Sequence, residues 1–162
     1  MAIIGSQLQP FTAQAFHNGR FVEVSQDDVL GKWAVFFFYP ADFTFVCPTE
    51  LEDMADHYAQ FQALGAEVFG VSTDTHFSHK AWHGRSPAIG KISFPILGDP
   101  SGQITNNFGV MREGVGLARL HHFHTLGMVG CLQDGDAHQM LAVDLLRRLE
   151  RRLIGIEPLR ER

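Results

Sequence analysis

No stretch of roughly 18 apolar residues, the least a membrane-spanning helix needs, occurs in this chain. It also lacks a charged-then-apolar leader, since Met1-Ala2-Ile3-Ile4 gives way at once to polar residues. Cysteine is scarce: Cys47 and Cys131 are the only two, at unrelated positions. That argues against the disulfide framework of a small secreted domain and agrees with a reducing compartment. Without a Cys-x-x-Cys pair, a thioredoxin-type disulfide oxidoreductase is disfavoured as well. A cytoplasmic protein with no membrane span is the expectation. Positive charge is in the minority, 13 Lys and Arg against 18 Asp and Glu, and a net charge of −5 does not suit nucleic acid or another polyanion. Linkers, repeats and low-complexity segments are missing too. What is left, 162 residues of which 45% are hydrophobic, reads as one globular domain, 1–162, with material for a real core.

Strand and helix patterns alternate along it. Phe16–Val24 contains Asn18-Gly19, a hairpin turn between short strands. Trp33–Tyr39 is apolar throughout and reads as a buried central strand. A helix is expected over Thr49–Leu64, ended by Gly65, then a strand over Glu67–Ser72 and a helix over Phe77–His83. Phe94–Leu97 reads as a further strand and Ser101–Phe108 as a short helix, which together make a three-layer α/β pattern.

The chemistry concentrates in Pro40-Ala41-Asp42-Phe43-Thr44-Phe45-Val46-Cys47, followed by Pro48-Thr49-Glu50. The apolar run breaks at Pro40, crosses a short loop and delivers Cys47 to the mouth of a helix. A helix start offers backbone N–H groups and the positive end of the macrodipole, and both favour a thiolate over a thiol. Cysteines so placed titrate in the range of about 3.5–7.5, against about 8.5 when free. Thr44, three residues earlier, is a hydroxyl donor for the sulfur or for a bound oxygen substrate, and Glu50 suits the first turn of the helix. A lone free cysteine is more often a small buried hydrophobe.

Cys47 does not stand alone. Phe36–Glu50, FFFYPADFTFVCPTE, resembles the active-site segment of the peroxiredoxins, in particular the AhpC-type two-cysteine enzymes that form the peroxidase subunit of alkyl hydroperoxide reductase. Further matches follow in order: VSTDTHFSHKAWH from Val71 to His83, FPILGDPSG from Phe94 to Gly102, and FGVMRE from Phe108 to Glu113. The resemblance runs from about Ile3 to about Ala118. It implies a thioredoxin-like fold with an N-terminal β-hairpin and thiol-based reduction of hydrogen peroxide and organic hydroperoxides, with no metal, haem or flavin cofactor. By the same resemblance Cys47 is the peroxidatic nucleophile, Thr44 its hydrogen-bonding partner and Pro40 the shield of the pocket. The implied partners are a hydroperoxide substrate, an external thiol or flavoprotein disulfide reductase as electron donor, and further copies of the chain in a dimer or ring of dimers. Phe43, Phe45 and Phe77 fall on the ring-type surface, although aromatic residues at such positions can equally be core.

The resemblance stops near residue 119. Relatives place an arginine beside the peroxidatic sulfur where this chain has Leu120; Arg119 is one residue away, and on a strand one residue turns a side chain to the opposite face, so a local bulge is needed to restore it. The family's resolving cysteine sits in a Val-Cys-Pro segment, which has no counterpart here; Cys131, amid apolar residues, reads more simply as a core cysteine. Either the tail has diverged or its reading frame has shifted. Asp136 is suited to cap a helix through Met140, Leu141, Val143, Leu145, Leu146 and Leu149, with Arg147, Arg148, Arg151 and Arg152 on a solvated face. His122 and His124, with Phe123 between them, share a strand face next to His121, and His76, His79 and His83 fall at helical spacing, but neither group completes a metal site. Beside a one-cysteine peroxidase stands a second expectation, a catalytically impaired remnant that self-associates or binds apolar surfaces in a chaperone-like way.

Overall fold

The computed structural model describes residues 8–31, 33–44, 47–119 and 127–130, with Cys47 and 127–130 described by their backbone alone. Its elements are β1 (Thr12–His17), β2 (Arg20–Ser25), β3 (Trp33–Phe38), α1 (Cys47–Ala63), β4 (Ala66–Ser72), α2 (His76–Arg85), β5 (Ile96–Gly98), α3 (Gln103–Asn107), β6 (Met111–Arg112), β7 (Leu117–Ala118) and β8 (Gly127–Gly130). Six of the strands form one sheet in the order β2-β1-β5-β4-β3-β8, and β6 pairs with β7 as a separate ribbon. β3, β4 and β5 run parallel, joined by crossovers through α1 and α2, while β1 and β8 pair antiparallel at either side.

The hairpin forms where Asn18-Gly19 demands it. His17 faces Arg20 in register, which leaves a two-residue loop, and Asn18 and Gly19 take φ of 48° and 80°. Both central residues of a type I′ turn need positive φ, which asparagine and glycine tolerate best.

β3 is apolar on both faces because both faces are covered. Val35, Phe37 and the following Tyr39 join one core with Leu51, Met54, Tyr58 and Phe61 of α1 and Trp82 of α2. Ala34, Phe36 and Phe38 join the other, with Phe69, Leu97, Ile104 and Phe108. Helices α1 and α2 thus cover one face of the sheet, and α3 with the β6–β7 ribbon covers the other. Phe36 sits opposite Phe69 in register, and their rings stack at 5.2 Å. Each fully buried phenylalanine contributes roughly 1.5–3 kcal/mol.

Most element boundaries differ from the sequence expectation by a residue or two, and two of the differences have a local cause. α1 opens at Cys47 rather than Thr49, since proline at the second position fits a first turn where its N–H is not needed. β5 covers Ile96–Gly98 rather than Phe94–Leu97. Pro95 has no N–H for the ladder, and its carbonyl instead accepts from Gly70 N at 3.0 Å. In the tail, β8 lies antiparallel to β3, with Trp33 opposite Gly130. His121, His122, His124, Cys131 and the expected helix from Asp136 lie outside the described residues. Among the described residues no helix is long and apolar enough to cross a membrane.

Candidate active site

Parallel strands end together, and in open α/β sheets the crevice beyond their carboxyl ends is where ligands bind. Here that edge is formed by Tyr39 after β3, Asp74 after β4 and Asp99 after β5. Tyr39 N still donates to Val71 O at 3.0 Å, prolonging the sheet by one residue before the chain bends at the half-buried Pro40. Five residues further on than Asp42, the backbone of Cys47 opens α1. Glu50 lies in the first turn of that helix, buried, in the place where the macrodipole favours a carboxylate.

The loop between them is tightly specified. Phe43 has φ of 58°, a left-handed conformation that costs a non-glycine residue on the order of 1–3 kcal/mol. Its half-exposed ring rests 6.1 Å from that of buried Trp82. The Thr44 hydroxyl donates to Ala41 O at 3.0 Å. Donation to any other acceptor therefore requires that proton to turn away from Ala41.

Behind the loop lies a buried polar cluster that the sequence did not disclose. Asp42 accepts from the Tyr39 hydroxyl at 2.8 Å through Oδ1 and meets Nδ1 of His79 at 2.8 Å through Oδ2. Its own backbone N–H donates to Asp74 Oδ2 at 2.6 Å, and Ser72 Oγ donates to the same oxygen at 3.2 Å. Nε2 of His79 faces Leu97 O at 3.1 Å. Burial, then the charge and hydrogen bond of Asp42, push the Tyr39 hydroxyl well above its ordinary pKa of about 10. α2 is brought this close by Gly98: a Cβ there would stand 2.7 Å from His76 N and 2.9 Å from Asp74 O. The signal that could have found His79 is its spacing from Trp82, three residues along α2, which puts both on one inward face.

The remaining sequence candidates separate. Arg119 is exposed, just beyond β7, with its backbone N–H on Val110 O at 2.8 Å. The three histidines of α2 do not converge: His79 faces Asp42, His83 faces Ile92 O at 3.1 Å, and the His76 ring packs 4.1 Å from Phe77. Among the described residues no group of three or more His, Cys, Asp or Glu side chains is arranged to hold a metal ion.

Comparison with known proteins matches residues 4–125 to the AhpC/TSA family. Alkyl hydroperoxide reductase C of Salmonella typhimurium is 59% identical over 118 residues, 73% of this chain and 63% of that protein. The protein of the same name from Pseudomonas aeruginosa is 58% identical over the same shares. The matched stretch thus spans under two thirds of the length of these relatives. Among solved structures, Enterococcus faecalis AhpC superposes with a TM-score of 0.73 at 39% identity, covering 99% of this chain and 100% of that one. Mycobacterium bovis AhpC does so with 0.68 at 27% identity, covering 89% and 96%. These likenesses bear out the thioredoxin-like three-layer fold with its N-terminal hairpin.

Proposed function

The chain belongs to the AhpC/TSA family, and on that premise we propose that it is a thiol-dependent peroxidase reducing hydrogen peroxide and organic hydroperoxides through Cys47. The observation that carries the reading is the place of Cys47 at the first residue of the 17-residue helix α1, the helix that follows β3 in the chain. There the helix dipole favours the thiolate, which is the nucleophilic form.

The thiolate attacks the terminal oxygen of the hydroperoxide. An S–O bond forms as the O–O bond breaks, and the hydroxide or alkoxide leaves with the bonding pair and takes up a proton as water or alcohol. Sulfur loses two electrons to become a sulfenic acid, and the peroxide gains them. Thr44 supplies a donor to the oxygens as charge develops and Pro40 shields the pocket from water; Arg119, exposed beyond β7, supplies a cation to the thiolate provided that a local bulge turns it inward. An external thiol or a flavoprotein disulfide reductase returns the electrons: one thiol displaces water from the sulfenic acid to give a mixed disulfide, and a second releases the Cys47 thiol. No metal or organic cofactor enters these steps. The proposed setting is the cytoplasm, away from membrane and nucleic acid, with antioxidant defence as the role.

Phe43 and Phe77 are 51% and 63% exposed, and this supports self-association of the chain into a dimer or ring of dimers. It also favours the second reading, a catalytically impaired remnant that keeps only such contacts. Treatment with limiting peroxide in the presence of a sulfenic-acid trap separates the two. Mass spectrometry is expected to place the label at Cys47; labelling of Cys131 in preference, or no labelling with intact self-association, overturns the enzymatic reading.

A further inference from the structure

His79 is buried, reaches across the carboxyl ends of the sheet, and has no part in the chemistry assigned so far. Its Nε2 faces the carbonyl oxygen of Leu97 at 3.1 Å, and a carbonyl oxygen can only accept, so Nε2 carries a hydrogen. Its Nδ1 faces Oδ2 of Asp42 at 2.8 Å, a contact that also needs a hydrogen between the two atoms. The ring therefore acts as a rigid strut with a hydrogen bond at each end. One end is fixed to β5; the other holds Asp42, midway between Pro40 and Thr44. The Tyr39 hydroxyl and the carboxylate of Asp74 hold Asp42 from β3 and from the end of β4. All three parallel strands thus bear on one residue of the loop that leads to Cys47.

We infer that His79 is a positioning residue for the thiol site, acting through Asp42 to fix the loop that carries Thr44 and leads Cys47 to the start of α1. Displacement of reacting groups by about 1 Å can cost ~10²-fold in rate, so a strut of this kind matters to the chemistry as well as to stability. The inference rests on reading Cys47 as the reacting thiol.

Two near-isosteres divide the two bonds. Asparagine places an amide nitrogen where Nδ1 lies and keeps the bond to Asp42; glutamine places one where Nε2 lies and keeps the bond to Leu97. Each loses one buried hydrogen bond, so a purely structural role makes them alike. The measurement is iodoacetamide alkylation of the full chain from pH 5 to 9, read at the Cys47 peptide by mass spectrometry, alongside the rate of peroxide-driven sulfenic acid formation. His79→Asn is expected to keep the wild-type alkylation profile and a peroxide rate within about threefold. His79→Gln is expected to move the alkylation profile to higher pH and to slow the peroxide reaction by about 10- to 100-fold. Equal behaviour of the two variants, or the reverse order, overturns the inference. Should His79→Gln fail to fold, Asp42→Asn removes the carboxylate that the ring holds while leaving the ring on Leu97; it is expected to shift the profile likewise, and an unchanged profile overturns the inference. Alkylation needs no peroxide, so a wild-type chain inert to peroxide sinks the peroxidase reading while the alkylation profiles still decide the role of His79.

Discussion

The hydroxyl of Tyr39 lies 2.8 Å from Oδ1 of Asp42, and both residues are buried. This bond joins the last residue aligned with β3 to the loop that precedes Cys47. Tyr39→Phe keeps the ring and removes the donor, leaving a buried carboxylate oxygen without its partner. The expected loss of stability is about 1.5–3 kcal/mol, measured by chemical denaturation, because hydrogen bonds to charged groups sit at the upper end of the usual range. A loss under about 0.5 kcal/mol would show that the carboxylate finds another donor.

Alkaline titration tests the same environment. Tyr39 and Tyr58 are the only tyrosines of the chain. Both are raised, each by burial first and then by its carboxylate partner, Asp42 for Tyr39 and Glu67 for Tyr58. A folded-state value above the unfolded one gives stability that is complete below about pH 10 and is lost as pH rises beyond it, because the unfolded chain releases protons that the folded chain retains. The decline approaches about 1.4 kcal/mol per pH unit for Tyr39. Absorbance at 295 nm should show no tyrosinate near pH 10 and then a rise coincident with unfolding by circular dichroism. Ordinary titration near pH 10 in a chain that is still folded would contradict the placement of Tyr39.

Much of this was legible in the sequence, for physical reasons that differ by element. Asn18-Gly19 announces its turn because few other pairs accept two positive φ angles. Trp33–Phe38 announces a strand covered on both faces because every position is apolar. Cys47 at a helix start could be read from Pro40 and Pro48, both punctuating local geometry. β5 was misplaced because its pairing with β4 and β1 is decided by distant partners, and local composition extends the apolar run through Pro95. The Asp42–His79 contact was invisible, since 37 residues separate the partners and only the crossover through α1 and α2 brings them together.

Thr44→Val replaces a hydroxyl with a methyl of similar size. In this structure the hydroxyl proton points to Ala41 O, so it must reorient before it can serve a developing charge. The sulfenic acid should form more slowly by up to about 10²-fold, the lower end of what loss of one donor costs at such sites. Stopped-flow kinetics at fixed peroxide measures the rate, and a rate equal to wild type would remove Thr44 from the site.

Arg119→Ala tests the proposed cation. A positive charge near a thiol favours the thiolate, so its removal should move the alkylation profile of Cys47 to higher pH. Arg119 is exposed, so solvent screens it, and the shift should stay below about one pH unit. An unmoved profile would show that the guanidinium points away from the sulfur.

The fate of Cys47 after its first turnover depends on what can attack the sulfenic acid. Cys131 is the only other cysteine of the chain, in Gly130-Cys131-Leu132, and this is not the Val-Cys-Pro setting of the family's resolving thiol. With reductant scarce, the sulfenic acid persists until a second peroxide transfers another oxygen to it, giving a sulfinic acid that thiols do not reduce. Activity should therefore decay within a few turnovers, with the Cys47 peptide gaining the mass of two oxygens. Excess external thiol should protect it, because mixed-disulfide formation then outruns the second oxidation. On a non-reducing gel no Cys47–Cys131 dimer is expected. A stoichiometric dimer that dithiothreitol reverses and Cys131→Ser abolishes would instead make Cys131 a relocated resolving cysteine, and the chain would then turn over by a two-cysteine route.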